Sequence, residues 1–319
     1  MTPIISAVIP VFNEKGSLPG FGAELSAVLD RLALPYEIIW VDDGSSDGSF
    51  AELAKLAAAP GQRALRLAKN YGQTSALAAG IAEARGEWIV TLDADGQNDP
   101  EDIPRLFAAA AAGVDVVSGW RRDRRDAFFT RILPSRAANW IISAVTGVKL
   151  HDFGCTLKVY RARLLKETDL YGEMHRFLPA ILGYAGASVM ELEVNHRPRT
   201  TGRSKYGIAR TFKVVLDLLT VKFMGDFITK PIYLFGGLSF ALLGCSSLMA
   251  AWTLYNKFHN GIFVKDQPLF LVAIFFAIVA VQFAFMGLMA EVLIRTYHSA
   301  NRRPPYSVAE KTGGEKKAG

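Results

Sequence analysis

The sequence predicts an α/β fold in which a doubly wound, mostly parallel sheet is followed by interfacial amphipathic helices and two C-terminal membrane-spanning helices. Short apolar runs alternate with helical patterns through the N-terminal part of the 319-residue chain, as they do in βα units. Residues 231–256 and 267–290 carry no charge, and each is long enough to cross a bilayer, which needs ~20 apolar residues. Acidic residues follow three of the apolar runs, at the strand ends where such sheets bind ligands.

The first five apolar runs are expected to form the parallel part of the sheet. They alternate with helical patterns in short units, which favours a parallel, doubly wound sheet. A sixth strand is expected later in the chain. The predicted strands are residues 4–12, 36–41, 64–67, 88–92, 114–118 and 185–194, with helices up to about 32, from about 49, up to 84 and over 101–112.

The acidic stretch after the fourth predicted strand is the centre of the functional interpretation. Asp93 and Asp95 are one residue apart, and Gln97 adds a neutral oxygen, a set of ligands that suits a divalent cation. An EF-hand loop is excluded, because the positions of its glycine and its closing acid hold Asn98 and Pro104. Taken alone, an acidic turn that starts a helix remains the alternative.

Acids also end the first two predicted strands. Glu14 follows the first strand, and Asp42 and Asp43 follow the second. Because the carboxyl ends of parallel strands share one edge of the sheet, these carboxylates are expected near Asp93 and Asp95. Like charges gathered there repel each other unless they bind a ligand or a metal, and a diphosphate beside them requires a cation. The acids at this edge therefore fit a ligand or a divalent cation rather than a bare cluster of like charges.

The two uncharged segments divide the chain into a cytoplasmic domain, a membrane hairpin and a tail. Lysines and arginines flank the outer ends of the hairpin, whereas the link between the spans has little net charge. The positive-inside rule then predicts a protein of the cytoplasmic membrane with its N-terminal domain in the cytoplasm. The predicted segments are the domain 1–207, a juxtamembrane interfacial helix 208–230, spans 231–256 and 267–294, a short external loop 257–266, and a basic tail 295–319 that is disordered from Lys311.

Two basic stretches are candidates for contact with phosphate or lipid. Residues 121–136 hold six arginines among aromatic and aliphatic residues, which is typical of a solvated charge run or of an amphipathic segment at the headgroup level, here about 126–147. Residues 197–207 form a basic loop in which Arg203 and Lys205 are the natural phosphate clamp. The alternative for this loop is a flexible segment at the membrane surface.

Composition excludes several other classes of protein. The net charge of +6 is concentrated near the ends of the hairpin, and no motif that reads nucleic acid is present, so an anionic membrane surface fits the charge better than nucleic acid. Cys155 and Cys245 are the only cysteines and imply no disulfide framework. His151 and His175 lack metal-ligand spacing, so a structural role is expected for each.

Four ordered motifs in this chain resemble family 2 glycosyltransferases with the GT-A fold. Three later stretches are similar to those of the polyprenyl-phosphate glycosyltransferases, including dolichyl-phosphate mannose synthases and the bacterial GtrB-type and ArnC-type transferases, and the likeness covers nearly the whole chain. The motifs are residues 8–14 (VIPVFNE), 41–48 (VDDGSSDG), 70–73 (NYGQ) and 93–100 (DADGQNDP), and the later stretches are 152–161 (DFGCTLKVYR), 202–206 (GRSKY) and 302–306 (RRPPY).

The resemblance implies roles for individual residues. Acidic and neutral side chains at the strand ends are implied to hold the donor, and basic and hydroxyl side chains to meet the phosphate of the acceptor or of the donor. Where family members commonly have an apolar residue, this chain has Gly96. The base-and-ribose set is Pro10, Glu14, Asp42 and Asp43; the metal-and-diphosphate set is Asp93, Asp95 and Gln97; the phosphate set is Arg121, Arg131, Ser135, Arg203, Ser204 and Lys205; and the catalytic set is Asp93, Asp95, Arg203 and Lys205.

The resemblance also implies the reaction and the partners. One sugar is expected to pass, with inversion, from a UDP- or GDP-linked donor to a polyprenyl phosphate at the cytoplasmic membrane face. The expected assembly is a homo-oligomer, a tetramer by resemblance. A phosphate monoester has a second pKa of about 6 and is already a good nucleophile at neutral pH, so no dedicated general base is expected.

Three rival functions are disfavoured by the sequence. A processive polysaccharide synthase would be expected to show a Gln-x-x-Arg-Trp motif and more spans, whereas none of the five tryptophans follows an arginine. A transporter is disfavoured because neither uncharged segment contains an ionisable residue to mark a transport path. A membrane-anchored nucleotide-sugar-binding protein without turnover is disfavoured by the intact acid pair and the intact basic pair, Arg203 and Lys205.

Overall fold

The structure, a computed structural model, describes residues 2–122, 139–140, 142–144, 146–168, 170, 174–197, 231–299 and 308–313. The chain divides into two units, Met1–Val221 with Pro304–Gly319, and Lys222–Arg303. The interfacial helix predicted over 208–230 and most of the amphipathic segment predicted at about 126–147 lie outside the described residues.

In the described residues, eight strands form one mixed sheet in the first unit. The strands are β1 (Ile5–Val11), β2 (Tyr36–Asp42), β3 (Gln62–Leu67), β4 (Trp88–Thr91), β5 (Val116–Trp120), β6 (Lys158–Arg161), β7 (Val189–Glu193) and β8 (Val308–Gly313). β1 lies parallel to β2 on one side and to β4 on the other, and β3 continues the parallel half. β6 runs antiparallel between β4 and β5, and β7 lies parallel to β5. The order across the sheet is β7-β5-β6-β4-β1-β2-β3-β8.

The first five strands lie where the apolar runs predict them, and the strand predicted over 185–194 is the shorter β7. β6 was not predicted. Its four residues begin with Lys158 and end with Arg161, so they form no apolar run of the kind that marks a buried strand. The sheet is therefore mixed on this side, while its parallel half follows the sequence pattern.

β8 corrects the predicted disorder for residues 311–313, while the rest of the predicted disordered tail, 314–319, lies outside the described residues. This strand pairs antiparallel with β3, with Lys311 opposite Leu65 and Gly313 opposite Arg63. The pairing satisfies backbone N–H and C=O groups along an edge of β3 that would otherwise lack strand partners. Because backbone pairing does not require apolar side chains, the Gly/Lys-rich composition gave no sign of it.

Helices cover both faces of the sheet. They are α1 (Leu18–Arg31), α2 (Ser49–Leu56), α3 (Gln73–Glu83), α4 (Ile103–Ala111), α5 (Ala162–Lys166) and α6 (Leu178–Tyr184). α1, α2 and α4 pack on the face that includes Ile9, and α3, α5 and α6 on the face that includes Val8. Consecutive residues of β1 thus point to opposite faces and are both buried, as expected of a strand covered on both sides. The sheet is doubly wound as predicted.

The second unit contains two long helices, α7 (Pro231–His259) and α8 (Pro268–Ser299). Both are long and apolar enough to cross a membrane, with mean hydropathies of 1.7 and 2.7. Each helix ends a few residues beyond the predicted span, and a 3₁₀ turn at Val264–Asp266 lies in the predicted external loop.

Hydroxyl groups join the two long helices. Ser239 Oγ donates to the backbone oxygen of Ala280, and Ser246 Oγ to that of Ala273, each at 2.7 Å. These serines are seven residues apart in sequence, about two helical turns, so both lie on the face of α7 that meets α8. The contact between the helices is therefore polar at two points within an apolar pair.

Candidate active site

The acid-bearing loops after β1, β2 and β4 meet at the carboxyl edge of the sheet. Asn13 N donates to Ser45 Oγ at 2.9 Å, which joins the loop after β1 to the loop after β2. Ser17 Oγ donates to the backbone oxygen of Ala94 at 3.0 Å, which joins the first loop to the loop after β4. The structure therefore brings together the three loops that the sequence analysis singled out.

Pro10 and Glu14 lie on β1 and the turn that follows it. Pro10 is opposite Val41 in the parallel pairing with β2. Glu14 N donates to Ser49 Oγ at 3.0 Å, and Glu14 Oε2 accepts from Ser17 Oγ at 3.3 Å. Pro10 and Glu14 are thus at the same end of β1 and β2 as Asp42 and Asp43, the other two residues of the predicted base-and-ribose set.

Asp42 is fully buried at the end of β2. Its Oδ1 accepts from Ser45 N at 3.2 Å, and Arg66 Nε lies 3.5 Å from its Oδ2. Burial raises the pKa of Asp42, against the opposing effect of these two partners. Gly44 has a φ of +70°, and a Cβ there would lie 2.5 Å from the carbonyl carbon of Lys69. Only glycine therefore fits directly after Asp42 and Asp43.

Asp43 holds the loop that leads into α3. Its Oδ1 accepts from Tyr71 N at 2.8 Å and its Oδ2 from Gly72 N at 2.9 Å. Burial raises the pKa of Asp43, and the two backbone hydrogen bonds oppose this shift. The carboxylate satisfies two N–H groups just before the helix, which have no helical carbonyl to bind. The loop that carries the NYGQ motif is therefore held by hydrogen bonds to Asp43.

The loop after β4 carries the acid pair. Asp95 is 7% exposed, and its Oδ1 accepts from Gln97 N at 3.1 Å. Asp93 is half-buried, and its Oδ1 accepts from Gln73 Nε2 at 2.7 Å. Gly96, between Asp95 and Gln97, has a φ of +71°, a left-handed conformation that glycine adopts without strain. The left-handed backbone thus explains why this chain has glycine where family members commonly have an apolar residue.

The donor set at this edge fits a cation that is shared with a diphosphate. In the described part of the chain, no group of three or more His, Cys, Asp or Glu side chains is placed to hold a metal ion. Asp93 and Asp95 supply two carboxylates, and Mg²⁺ is commonly bound by one or two carboxylates with substrate phosphates completing its coordination. The arrangement therefore suits a cation that arrives with its nucleotide.

The far side of the β4 loop is attached to the start of the basic loop. Arg197 makes a bidentate contact with Glu24 at 3.0 and 2.7 Å, and its Nη2 lies 2.7 Å from Asp99 Oδ1. The N–H of Arg197 also donates to the backbone oxygen of Gln97 at 2.9 Å. The chain thus enters the predicted basic loop, 197–207, beside the acid pair.

Arg121 forms a bidentate ion pair with Asp152 at the end of β5. Nε lies 2.7 Å from Oδ2, and Nη2 lies 3.0 Å from Oδ1. Both side chains are largely buried, with 13% and 4% exposed, and Gly154 N also donates to Asp152 Oδ1 at 3.1 Å. The sequence analysis gave Asp152 no role of its own, because no local pattern links two residues 31 positions apart.

Three further polar residues near this edge, the buried Lys158 and His175 and the exposed His151, have partners within the protein. Lys158 donates to a backbone carbonyl at 3.1 Å, and burial lowers its pKa to about 8. His175 Nδ1 lies 2.7 Å from Thr74 Oγ1, and His151 stacks on Trp120 with ring centroids 4.3 Å apart. Both histidines are engaged in contacts of the fold, in keeping with the structural role expected of them.

Several residues of the predicted phosphate set lie outside the described residues, so their roles stay predictions. They are Arg131, Ser135, Arg203, Ser204 and Lys205. Sequence reasoning also missed a contact inside the site, the hydrogen bond from Gln73 to Asp93. The NYGQ motif marked this position, but the motif alone did not indicate what the glutamine would contact.

Comparison with known proteins identifies the family. Residues 6–169 match the model described as Glycosyl transferase family 2. Dodecaprenyl-phosphate galacturonate synthase of Rhizobium johnstonii is 40% identical over 311 residues, which cover 96% of this chain and 92% of the relative. Undecaprenyl-phosphate 4-deoxy-4-formamido-L-arabinose transferase of Aeromonas hydrophila is 36% identical over 308 residues, with coverages of 96% and 93%.

Solved structures share the fold at low sequence identity. Glucosyl-3-phosphoglycerate synthase from Mycobacterium tuberculosis matches with a TM-score of 0.55 and 19% identity, over 69% of this chain and 80% of that one. Mannosyl-3-phosphoglycerate synthase from Rubrobacter xylanophilus matches with a TM-score of 0.56 and 19% identity, over 69% and 74%. The predicted GT-A fold is confirmed. The chain is a glycosyltransferase that belongs to glycosyl transferase family 2, in the group of its polyprenyl-phosphate transferase relatives.

Proposed function

We propose that this glycosyltransferase moves a single sugar from a nucleotide-diphospho-sugar to a polyprenyl phosphate, with inversion at the anomeric carbon. The observation that carries the proposal is that the loop holding Asp93 and Asp95 is joined to the start of the basic loop, through the contacts of Arg197 to Gln97 and Asp99. This contact supports an acceptor site that lies close to the donor site. The two relatives named for dodecaprenyl and undecaprenyl phosphate support the acceptor class.

The donor is assigned to the carboxyl ends of β1, β2 and β4. Pro10, Glu14, Asp42 and Asp43 are proposed to bind the base and ribose, of a UDP- or a GDP-linked sugar. Asp93, Asp95 and Gln97 are proposed to hold Mg²⁺ or Mn²⁺ with the diphosphate. When bound, this cation would neutralise the charge that develops on the departing diphosphate.

The acceptor supplies its own nucleophile. A phosphate monoester with a second pKa of about 6 is largely ionised at neutral pH, so its oxygen attacks without a dedicated base. The new bond joins this oxygen to the anomeric carbon while the bond from that carbon to the diphosphate breaks. The nucleoside diphosphate leaves with the bonding electrons, and attack from the opposite face inverts the anomeric centre.

Basic side chains are proposed to hold the acceptor phosphate in line for attack. Arg203 and Lys205, with Ser204 between them, lie six to eight residues beyond Arg197 in sequence. Arg131 and Ser135 are proposed to add contacts to the same phosphate. Arg121 is proposed to do so from the end of β5, where the ion pair with Asp152 fixes its guanidinium. Such contacts position one anion against another and lower the entropic part of the barrier.

The two apolar helices are proposed to span the cytoplasmic membrane, with the sheet unit on the cytoplasmic side as the positive-inside rule predicts. A lipid acceptor is confined to the bilayer, so a catalytic unit tethered there stays within reach of it. We further infer a homo-oligomer, a tetramer by family resemblance.

The test of this function follows a labelled sugar into lipid. Full-length protein in liposomes is incubated with Mg²⁺, undecaprenyl phosphate and a panel of radiolabelled UDP- and GDP-linked sugars, and the lipid is then extracted. Label is expected in the organic phase with at least one donor. Absence of lipid label with every donor would overturn the acceptor class.

The same assay tests the cation role. Asp95→Ala is expected to lower the rate by about 100-fold or more, since loss of one electrostatic contact to a developing charge costs on the order of 10²–10³ in rate. Chelation with EDTA is expected to have a comparable effect. Asp30→Ala, which removes an exposed acid at the other end of the first helix, is the control and is expected to leave the rate unchanged. Full activity of Asp95→Ala would reject the metal role.

A further inference from the structure

The NYGQ motif at 70–73 has a defined place at the site but no part in the reaction proposed above. Gln73 is the first residue of α3, and its Nε2 donates to Asp93 Oδ1 at 2.7 Å. An ionised carboxylate only accepts hydrogen bonds, so the amide nitrogen of Gln73, and not its oxygen, must face Asp93. The glutamine therefore acts as a neutral donor to one acid of the pair.

Gln73 is held in place from both sides. On one side, the backbone N–H groups of Tyr71 and Gly72 donate to the two oxygens of Asp43, which is itself 3% exposed. On the other side, Thr74 is 2% exposed and bound to His175. Hydrogen bonds to a carboxylate are stronger than those between neutral groups. The chain on both sides of Gln73, whose amide faces Asp93, is therefore held by hydrogen bonds within the protein.

A fixed donor of this kind determines which way a carboxylate points. The hydrogen bond from Gln73 occupies one acceptor direction of Oδ1 and so orients the remaining directions of Asp93. Groups that hydrogen-bond to metal-ligating carboxylates typically contribute 10- to 100-fold to metal affinity. The contact with Gln73 thus restricts the orientations that the Asp93 carboxylate can adopt.

We propose that Gln73 is a positioning residue for donor binding, which fixes the carboxylate of Asp93 toward the diphosphate and its cation. Asp43 holds Gln73 in place through the backbone of Tyr71 and Gly72. The inference rests on the cation role that the proposed function gives to Asp93. It makes Asp43 a support of the metal-facing acid, in addition to any contact with the nucleotide.

The experiment measures Mn²⁺ binding to full-length protein by electron paramagnetic resonance, in the presence of UDP and separately of GDP. Gln73→Met keeps the length of the side chain and removes the donor. Gln73→Ser is too short to reach Asp93 and suits the first turn of a helix, so it serves where Gln73→Met disturbs folding. Ser75→Ala is the matched control, because Ser75 Oγ donates to the backbone oxygen of Tyr71 at 3.3 Å in the same helical turn.

Both Gln73 variants are expected to bind Mn²⁺ about 10-fold more weakly than the wild type in the presence of nucleotide. Ser75→Ala is expected to bind like the wild type, and nucleotide affinity without metal is expected to be unchanged in all three. A purely structural role for Gln73 would instead lower the melting temperature and nucleotide affinity together. In an Asp93→Asn background, Gln73→Met is expected to cause no further loss, since the two residues act through one contact.

The outcomes separate this inference from the function on which it rests. Wild-type Mn²⁺ affinity in both Gln73 variants, with clear binding by the wild type, would overturn the positioning role alone. An equal loss in Ser75→Ala would overturn it too, because the effect would then belong to the whole start of α3. If the wild type binds no Mn²⁺ with either nucleotide, the cation role of Asp93 fails, and the positioning role fails with it.

Discussion

The unit that contains the eight-stranded sheet (the sheet unit) and the two long helices α7 and α8 (the helical pair) differ in which side chains they bury. In the sheet unit, Leu25 of α1 is fully buried, whereas Leu248 of α7 is 73% exposed and Ile278 of α8 is 62% exposed. In the helical pair, by contrast, two serines are buried, with Ser239 and Ser246 at 5% and 8% exposure. Water drives apolar groups inside, whereas in lipid the polar groups must find internal partners. The two units are therefore built for different solvents.

The largest effect is expected from one substitution made in both units. Leu25→Ala removes a fully buried side chain and is expected to lower the free energy of unfolding of the sheet unit by about 2–5 kcal/mol. Leu248→Ala removes an outward-facing side chain and is expected to change stability by less than about 0.5 kcal/mol. Denaturant unfolding of the detergent-solubilised protein measures both. Equal losses would mean that the outer face of α7 is packed against protein.

An introduced charge sharpens the comparison. Ile278→Arg lies near the middle of the apolar segment of α8 and is expected to cost about 2.5–3.5 kcal/mol of membrane insertion. Ala51→Arg, on the exposed side of α2, is expected to be neutral because its charge stays in water. The fraction of each variant that survives alkaline extraction of membranes gives the measurement. Full membrane retention of Ile278→Arg would contradict a lipid-facing position.

The smallest effect is expected where the helices meet. Ser246→Ala removes the hydrogen bond to the carbonyl of Ala273 and is expected to weaken the helical pair by about 0.6 kcal/mol, the average for such contacts in membranes. Ser247→Ala, at the exposed neighbouring position, is the control and is expected to have no effect. Unfolding of the pair in mixed detergent micelles measures the difference. An equal loss of stability in Ser246→Ala and Ser247→Ala would contradict the stabilising role of the hydrogen bond from Ser246 to Ala273.

The sequence predicted what depends on local periodicity and failed where distant residues pair. Apolar runs located the parallel strands, and the acids after them located the site. β6 and β8 were not predicted, because a short or polar strand is stabilised by its neighbours in the sheet, and composition does not reveal those neighbours. The same reason applies within the site, where Gln73 and Asp93 are 20 residues apart in sequence. Motifs predicted the members of the candidate site but not which side chains touch.

The pairing of β8 with β3 makes the helical pair an insertion, since the polypeptide leaves the sheet unit before α7 and rejoins it at Val308–Gly313. A truncation that removes Val308–Gly313 is therefore expected to affect the sheet itself. It bares the hydrogen-bonding groups of β3 to water, and an open strand of this kind is the route by which sheets of separate molecules stick together. Val308–Gly313 thus keeps the edge of β3 from pairing with a strand of another molecule.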